Sequence, residues 1–405
     1  MDKKEENKIE FESIIFIAMN NEYRHILKQR KKKQYNFTKQ NIEIMAFTNG
    51  KKNNKKITYS SKFLNYKRYK LFKRFERFVL IYTILLFLLS LNGVLCQSHI
   101  ILKINKVGRF KILYNGGVED SSHACYTVPN HTPTRITINE NEIDTSNREY
   151  NFTQQENTIK IYYEDSKDDF KCLFYGCSDI DEINASNLIT SNVHNMEYMF
   201  HGCSSLTSLI LSNFNTERAT FMRSMFGFCS SLTSIDISSF ITLSLIDMAF
   251  MFEGCSKLSF INLLNFETSN VIYIEGLFKG CSSLTSLDIS SLRTTKVVWI
   301  SEMFQDCCLL TSLNLSNFDT SSAKYFHRMF EGCKSLTSLD LSNFNTEKAI
   351  KINGMFNGCY NLKYLDIYNF DTSLVNDMSW MFSDCSSLES LDIINFNTSN
   401  VENMI

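Results

Sequence analysis

The sequence predicts an α/β solenoid: a curved stack of short parallel strands and short helices, preceded by a small β-rich cap and a transmembrane or signal helix. Three observations predict it. A cysteine returns every 26 residues, at Cys177, Cys203, Cys229, Cys255, Cys281, Cys307, Cys333, Cys359 and Cys385, without a slip in register. Within each period the apolar residues first alternate, as Leu339 and Leu341 do, and then recur at spacings of three and four, as Val375, Met378, Met381 and Phe382 do. Alternation is the period of a strand and the wider spacing that of one helix face. Upstream of the repeats, the uncharged run Phe78–Leu91 follows a cluster of Arg and Lys.

Residues 1–77 carry 21 Lys and Arg against 8 Asp and Glu, so the remaining chain is acidic, although the whole has a formal charge of only −1. A Lys/Asn-rich leader with basic runs such as Arg30–Lys33 cannot bury a core, and disorder is its default. It is expected as a cytoplasmic tail rather than a nucleic-acid arm. The basic flank of residues 78–96 puts the N-terminal side in the cytoplasm. The apolar segment Phe78–Cys96 is then either a signal anchor, leaving a single-pass plasma-membrane protein with its C-terminus outside, or a cleaved signal of a secreted one.

Residues 98–165 read as a β-rich N-terminal cap. Ile100, Leu102 and Ile104 alternate, as do Phe110, Ile112 and Tyr114, and Asn115-Gly116-Gly117 supplies a turn. Further strands are expected near Ile136–Ile138 and Thr158–Tyr163. A stack of repeats needs its first apolar edge covered; an independent binding domain is the alternative.

Residues 166–405 form nine units, the last incomplete. In each, a strand carrying the Leu pattern is followed by a threonine (Thr190, Thr216 and their equivalents to Thr398), whose hydroxyl suits a helix start. A helix follows, then a glycine such as Gly176 or Gly358 in the left-handed position that ends it. Phe228, Asp306 and Asp384 break that glycine column, so strained or differently shaped turns are expected there. Helices are wider than strands, so the strands should line a concave face. No cap follows the last unit, and end-to-end self-association through that C-terminal edge is expected.

The pattern L-x-x-L-x-L resembles leucine-rich repeats. The whole unit, M-F-x-G-C-x-x-L-x-x-L-x-L-x-x-F-x-T, is similar to that of the BspA-type leucine-rich-repeat surface proteins. The resemblance implies a cell-surface or secreted protein with adhesion or ligand-binding roles. It carries over no catalytic residue.

The cysteine stripe lacks the paired spacing and converging histidines of a metal site. It is expected as a core ladder of small hydrophobes, with no metal or cofactor. Cys125 and Cys172 lie outside the stripe, and a disulfide is expected to tie the cap to the first repeat. The central outward column of the strand face runs Asn184, Ile210, Asp236, Asn262, Asp288, Asn314, Asp340, Asp366, Asp392. It is either a solvated face or a binding surface for a cationic ligand, a protein patch or calcium. Phe260, Tyr364 and Tyr368 interrupt the small residues flanking it, and exposed aromatics are recognition anchors. The Tyr364–Asp366–Tyr368 patch, with Asp340 and Asp392 on adjacent units, is the first candidate site. Asn130 and Asn151 fit glycosylation sequons, as do Asn184, Asn314 and Asn397. The seven histidines are scattered and no nucleophile or phosphate-loop motif appears, so the function expected is non-catalytic adhesion or recognition. A self-associating structural array is the alternative.

Overall fold

The computed structural model describes residues 98–113, 125, 132–163 and 167–404. The basic leader, the apolar segment 78–96 and Asn130 lie outside the described residues. Among the described residues no helix is long and apolar enough to cross a membrane.

The cap strands follow the alternation of the sequence. β1 (His99–Ile104) buries Ile100, Leu102 and Ile104, and β6 (Asn157–Tyr162) buries Ile159 and Ile161 opposite them. β3 (Arg135–Ile138) pairs with β6 on its far side, and β4 (Asn141–Ile143) with β3. β2 (Gly108–Lys111) and β5 (Glu149–Phe152) form a separate antiparallel pair. β4 and β5 had no clear periodic signal.

The cap and the repeats share one sheet. β1 lies antiparallel to β7 (Glu182–Asn184), the strand of the first repeat, with Leu102 opposite Ile183. β7 in turn pairs in parallel with β8 (Ser208–Ile210), 26 residues on. β9 (Ser234–Ile235) pairs with β10 (Phe260–Ile261), and β11 (Ser338–Asp340) with β12 (Tyr364–Asp366), in the same one-period register. Cys125 and Cys172 are joined by a disulfide.

The expected helices are absent: this is a repeat protein of short strands without helices among the described residues. In their place runs a second ladder of single parallel bridges, from Asp169↔Asn195 through Trp299↔Tyr325 to Asp377↔Asn403. Amides that would close helical turns point instead to the next unit. Phe174, Phe200, Phe226 and Phe252 each donate to the carbonyl 25 residues on, at 2.8, 2.9, 3.0 and 3.1 Å. The intervening amides close tight turns, as Met199 does onto Met196. A helix cannot continue because two residues of each unit are left-handed. One column is the predicted glycine column, and Phe228, Asp306 and Asp384 adopt the same conformation there, with φ of 56°, 59° and 57°. The other runs through Cys172, Tyr198, Ser224, Phe250, Gly276, Glu302, Arg328, Gly354 and Trp380. With the helices goes the argument for curvature, which needed one side of each unit to be wider.

The threonine column has a different task from the helix cap expected of it. Eight buried threonines, Thr190 to Thr372, each donate a hydroxyl to the carbonyl 25 residues on. Seven of these hydroxyls also accept the amide of that same residue. Each thus clips one unit to the next where no backbone partner is in reach.

The core is a set of like-on-like columns. Phe174 to Phe382 stack ring on ring, with centroids 5.6 to 6.0 Å apart. Such pairs add ~1 kcal/mol each beyond burial. The stripe cysteines are free, and from Cys203 onward each thiol donates to a phenylalanine carbonyl of the preceding unit at 3.1 to 3.3 Å. Burial pushes the Cys255 thiol up to about 12, far from the thiolate form that reacts.

Two outcomes follow. Thr294→Val keeps the shape but strands the amide and carbonyl of Asp319; it should lower unfolding free energy in urea by ~1–3 kcal/mol, while Thr294→Ser should recover most of the loss. Under native, non-reducing conditions iodoacetamide should label Cys308, the half-buried cysteine beside the stripe. Peptide mass mapping should find the stripe cysteines from Cys203 to Cys359 labelled only after denaturation.

Candidate functional site

The strand face is built by alternation. In β12, Leu365 points inward while Tyr364 and Asp366 point out, and the neighbouring unit puts Ser338 and Asp340 beside them in register. Tyr364 and Tyr368 are 59 % and 54 % exposed. The patch named from sequence is therefore brought together: two phenol rings on one unit flank Asp366, with Asp340 directly alongside. Asp392, one unit further on, is exposed too. None of these three carboxylates forms an ion pair with the described residues. Phe260 lies four units away from the tyrosines, and its neighbour Leu264, 61 % exposed, was missed from sequence. Leu264 occupies the place that Tyr368 holds in its own unit, so the repeat alignment carried that signal.

The polar column itself has a structural duty. Oδ1 of Asn184, Asp236, Asn262, Asp288, Asn314, Asp340, Asp366 and Asp392 each accepts the backbone amide two residues on. These are Asx turns, which end each strand and aim the chain toward the threonine. Hydrogen bonds from the following serine hold Asp236, Asp288 and Asp340 below the usual carboxylate range. The Asn184, Asn314 and Asn397 sequons are such turns as well, with Ser186, Ser316 and Ser399 donating their amides. Asn151 is exposed in β5.

Two hollows occur near these residues. One, of about 460 Å³, is lined by Met378, Met381, Phe382, Phe396 and Met404. It is the open side of the core columns at the last described unit. The other, of about 390 Å³, lies on the strand face against Phe260 and Leu264.

The bridge side carries a half-buried row of charge that sequence reading passed over, because its members share no residue type. Arg223 pairs with Asp247 at 3.1 Å and with Glu275. Lys279 sits between Glu302 at 2.5 Å and Glu253 at 3.8 Å. His327 approaches Glu302 at 3.7 Å, and burial keeps its imidazole below the ordinary range. Desolvation raises Asp247 and Glu253, and takes Glu275 to about 7, against the pull of Arg223. One Glu275 oxygen has no partner. Among the described residues no group of three or more His, Cys, Asp or Glu side chains converges as a metal site would.

A family model described as "Mycoplasma protein of unknown function, DUF285" matches three overlapping stretches, residues 168–261, 257–365 and 334–405. Together they cover the repeats from the first unit onward. No curated protein and no solved structure matches the chain.

The charged row sets a pH dependence. A carboxyl whose folded pKa is raised binds its proton more tightly when folded, so stability falls as pH climbs from its ordinary value toward the raised one. For Glu275 that window runs from 4.5 to about 7. His327, held below its ordinary range, works the other way up to pH 6.5, so the difference between proteins is the readout: the thermal midpoint of Glu275→Gln should fall less, or rise more, across this window than that of the parent, and parallel curves would contradict the assignment.

Proposed function

The chain belongs to the family described as Mycoplasma protein of unknown function, DUF285, a description that assigns no activity, and from that premise we propose a non-catalytic recognition protein of the cell surface. The repeats are read as a solenoid of the leucine-rich class, kin to the BspA-type surface proteins. Support comes from the unit M-F-x-G-C-x-x-L-x-x-L-x-L-x-x-F-x-T and from its parallel one-period register. Display outside the cell is supported by the basic flank and apolar run of Phe78–Cys96. It is supported also by the Cys125–Cys172 disulfide, a bond of oxidising compartments. The remaining stripe thiols are compatible with such a compartment because they are buried and hydrogen-bonded.

The observation that carries the reading is the Tyr364–Asp366–Tyr368 patch. Exposed aromatic rings beside unpaired carboxylates on neighbouring units favour a cationic ligand, through ion pairing and cation–π contact. The same face has its inward side chains locked into the core, so the patch is rigid before binding, which lowers the cost of association. Tyr364→Ser combined with Tyr368→Ser should leave the unfolding midpoint unchanged and weaken binding of a tetralysine peptide at least tenfold. Equal affinity of parent and variant, measured by fluorescence anisotropy, would remove this patch as the recognition site.

A further inference from the structure

The strand ladder is broken between β8 and β9, and again, over two whole units, further along. β9 pairs with β10 and β11 with β12, but the two intervening units carry no strand pairing at Ser286–Asp288 or Ser312–Asn314. At those units the inward leucines stay packed against the core but are less completely covered. Leu287 and Leu313 are half-buried, whereas Ile261 before them and Leu339 after them are buried. This longer break coincides with the hollow of about 390 Å³ on the strand face. Phe260, 64 % exposed, and Leu264 wall it on one side.

The floor is polar and pre-set. Oδ1 of Asn262, Asp288 and Asn314 is held by the amide two residues on, at 3.0 Å in each case. That bond fixes each side chain and leaves its other terminal atom to a ligand: an amide NH2, a carboxylate oxygen, an amide NH2. On successive units the order is donor, acceptor, donor. The hydroxyls of Ser286 and Ser312 beside them donate or accept as required.

Charge narrows the ligand. Asp288 is the single formal charge lining the hollow, and no Lys, Arg or His lines it. An anion would find no cation there. A cation would find one carboxylate between two amides, a poorer partner than the Asp340–Asp366–Asp392 run. An apolar ligand would leave the amides and hydroxyls unpaired, at a cost of ~1–3 kcal/mol for each buried group. A neutral ligand with a hydroxyl on nearly every carbon and an apolar C–H face meets both demands, its face on the Phe260 ring and its hydroxyls on the floor. From this we infer that the Phe260–Asn314 hollow is a subsite for a neutral oligosaccharide. The inference rests on the strand face being a recognition surface, and it gives that surface a second, chemically distinct position.

Saturation-transfer NMR on the full chain tests it, with maltotetraose and chitotetraose as neutral probes, sialyllactose as the anionic probe and tetralysine as the cationic one. At least one neutral oligosaccharide should bind saturably. Phe260→Ser should weaken it tenfold or more. So should Asn262→Asp with Asn314→Asp, which keeps the turn-closing oxygens, removes the donors and makes the floor a run of three carboxylates. Tyr364→Ser with Tyr368→Ser should leave it unchanged. Absence of saturable binding by both neutral probes, undiminished binding by Phe260→Ser, or binding of sialyllactose alone would overturn the subsite. Tetralysine binding that persists in that event would retain the recognition reading while the saccharide is lost; loss of both would remove the two together.

Discussion

The structure depends on one constraint: every unit must present its backbone to the next at an offset of 25 or 26 residues. The amides of the bridge side donate to carbonyls one unit on, and the threonine hydroxyls do the same at the corner that the backbone leaves unserved. Side chains then follow. Because each unit repeats the geometry of its neighbour, a residue always packs on its own equivalent. Hence the phenylalanine stack, and hence a column of free cysteines with no disulfide among them. A thiol is small enough to pass beneath the neighbouring unit and polar enough to give its hydrogen to the carbonyl there. Serine would fit the same geometry, but it would place a stronger dipole among phenylalanines for one hydrogen bond. Alanine would leave that carbonyl with only its amide bond from within the unit, as from Cys177 to Phe174, and a gap where the sulfur packs.

The same constraint explains where the glycines are and where they are not needed. At Gly202 and Gly280 an added Cβ would stand 3.3 and 3.4 Å from the α-carbon of the glycine one unit back, so conformation and contact both favour glycine. At Phe228 and Asp306 the left-handed turn survives without it, because the neighbouring units on both sides impose their register. The strain of a single side chain in that region, ~1–2 kcal/mol, is smaller than the loss of the bonds that a different turn would forfeit.

Much of this was legible in the sequence. The 26-residue period, the inward leucines, the cap strands β1, β3 and β6 and the free cysteine ladder all follow from spacing alone. The helix did not survive, and the reason is specific. Met196, Met199 and Phe200 have helical spacing, but Tyr198 between them is left-handed, and nothing in the residue types of that column announces it. Only Gly276 and Gly354 hint at the conformation. The N-x-S signals at Asn184 and Asn314 were read as sequons, although an Asn or Asp two residues before a serine is also the mark of an Asx turn. The repetition of Asp-x-Ser at Asp236, Asp288 and Asp340, where glycosylation has no meaning, was the evidence for the turn. The half-buried charge of Arg223, Asp247 and Glu275 arises between units, so no single unit displays it.

A backbone that supplies its own register leaves outward positions free to vary, and this separates stability from surface chemistry on the strand face. The Oδ1 atoms there are committed to turns, so a carboxylate and an amide are equivalent to the fold. They differ only in what the second terminal atom offers to solvent or ligand. Choosing between Asp and Asn along the column therefore alters surface chemistry without disturbing the stack. The choice is not uniform: Asn262, Asp288 and Asn314 alternate, whereas Asp340, Asp366 and Asp392 accumulate charge that costs repulsion between neighbouring units. The fold does not require that repulsion, since asparagine closes the same turn. The bulky exposed residues are placed likewise, Phe260 and Leu264 at the neutral stretch, Tyr364 and Tyr368 at the acidic one, with small residues between. Two chemically different positions thus share one rigid face, each marked by side chains that the stacking alone gives no reason to select.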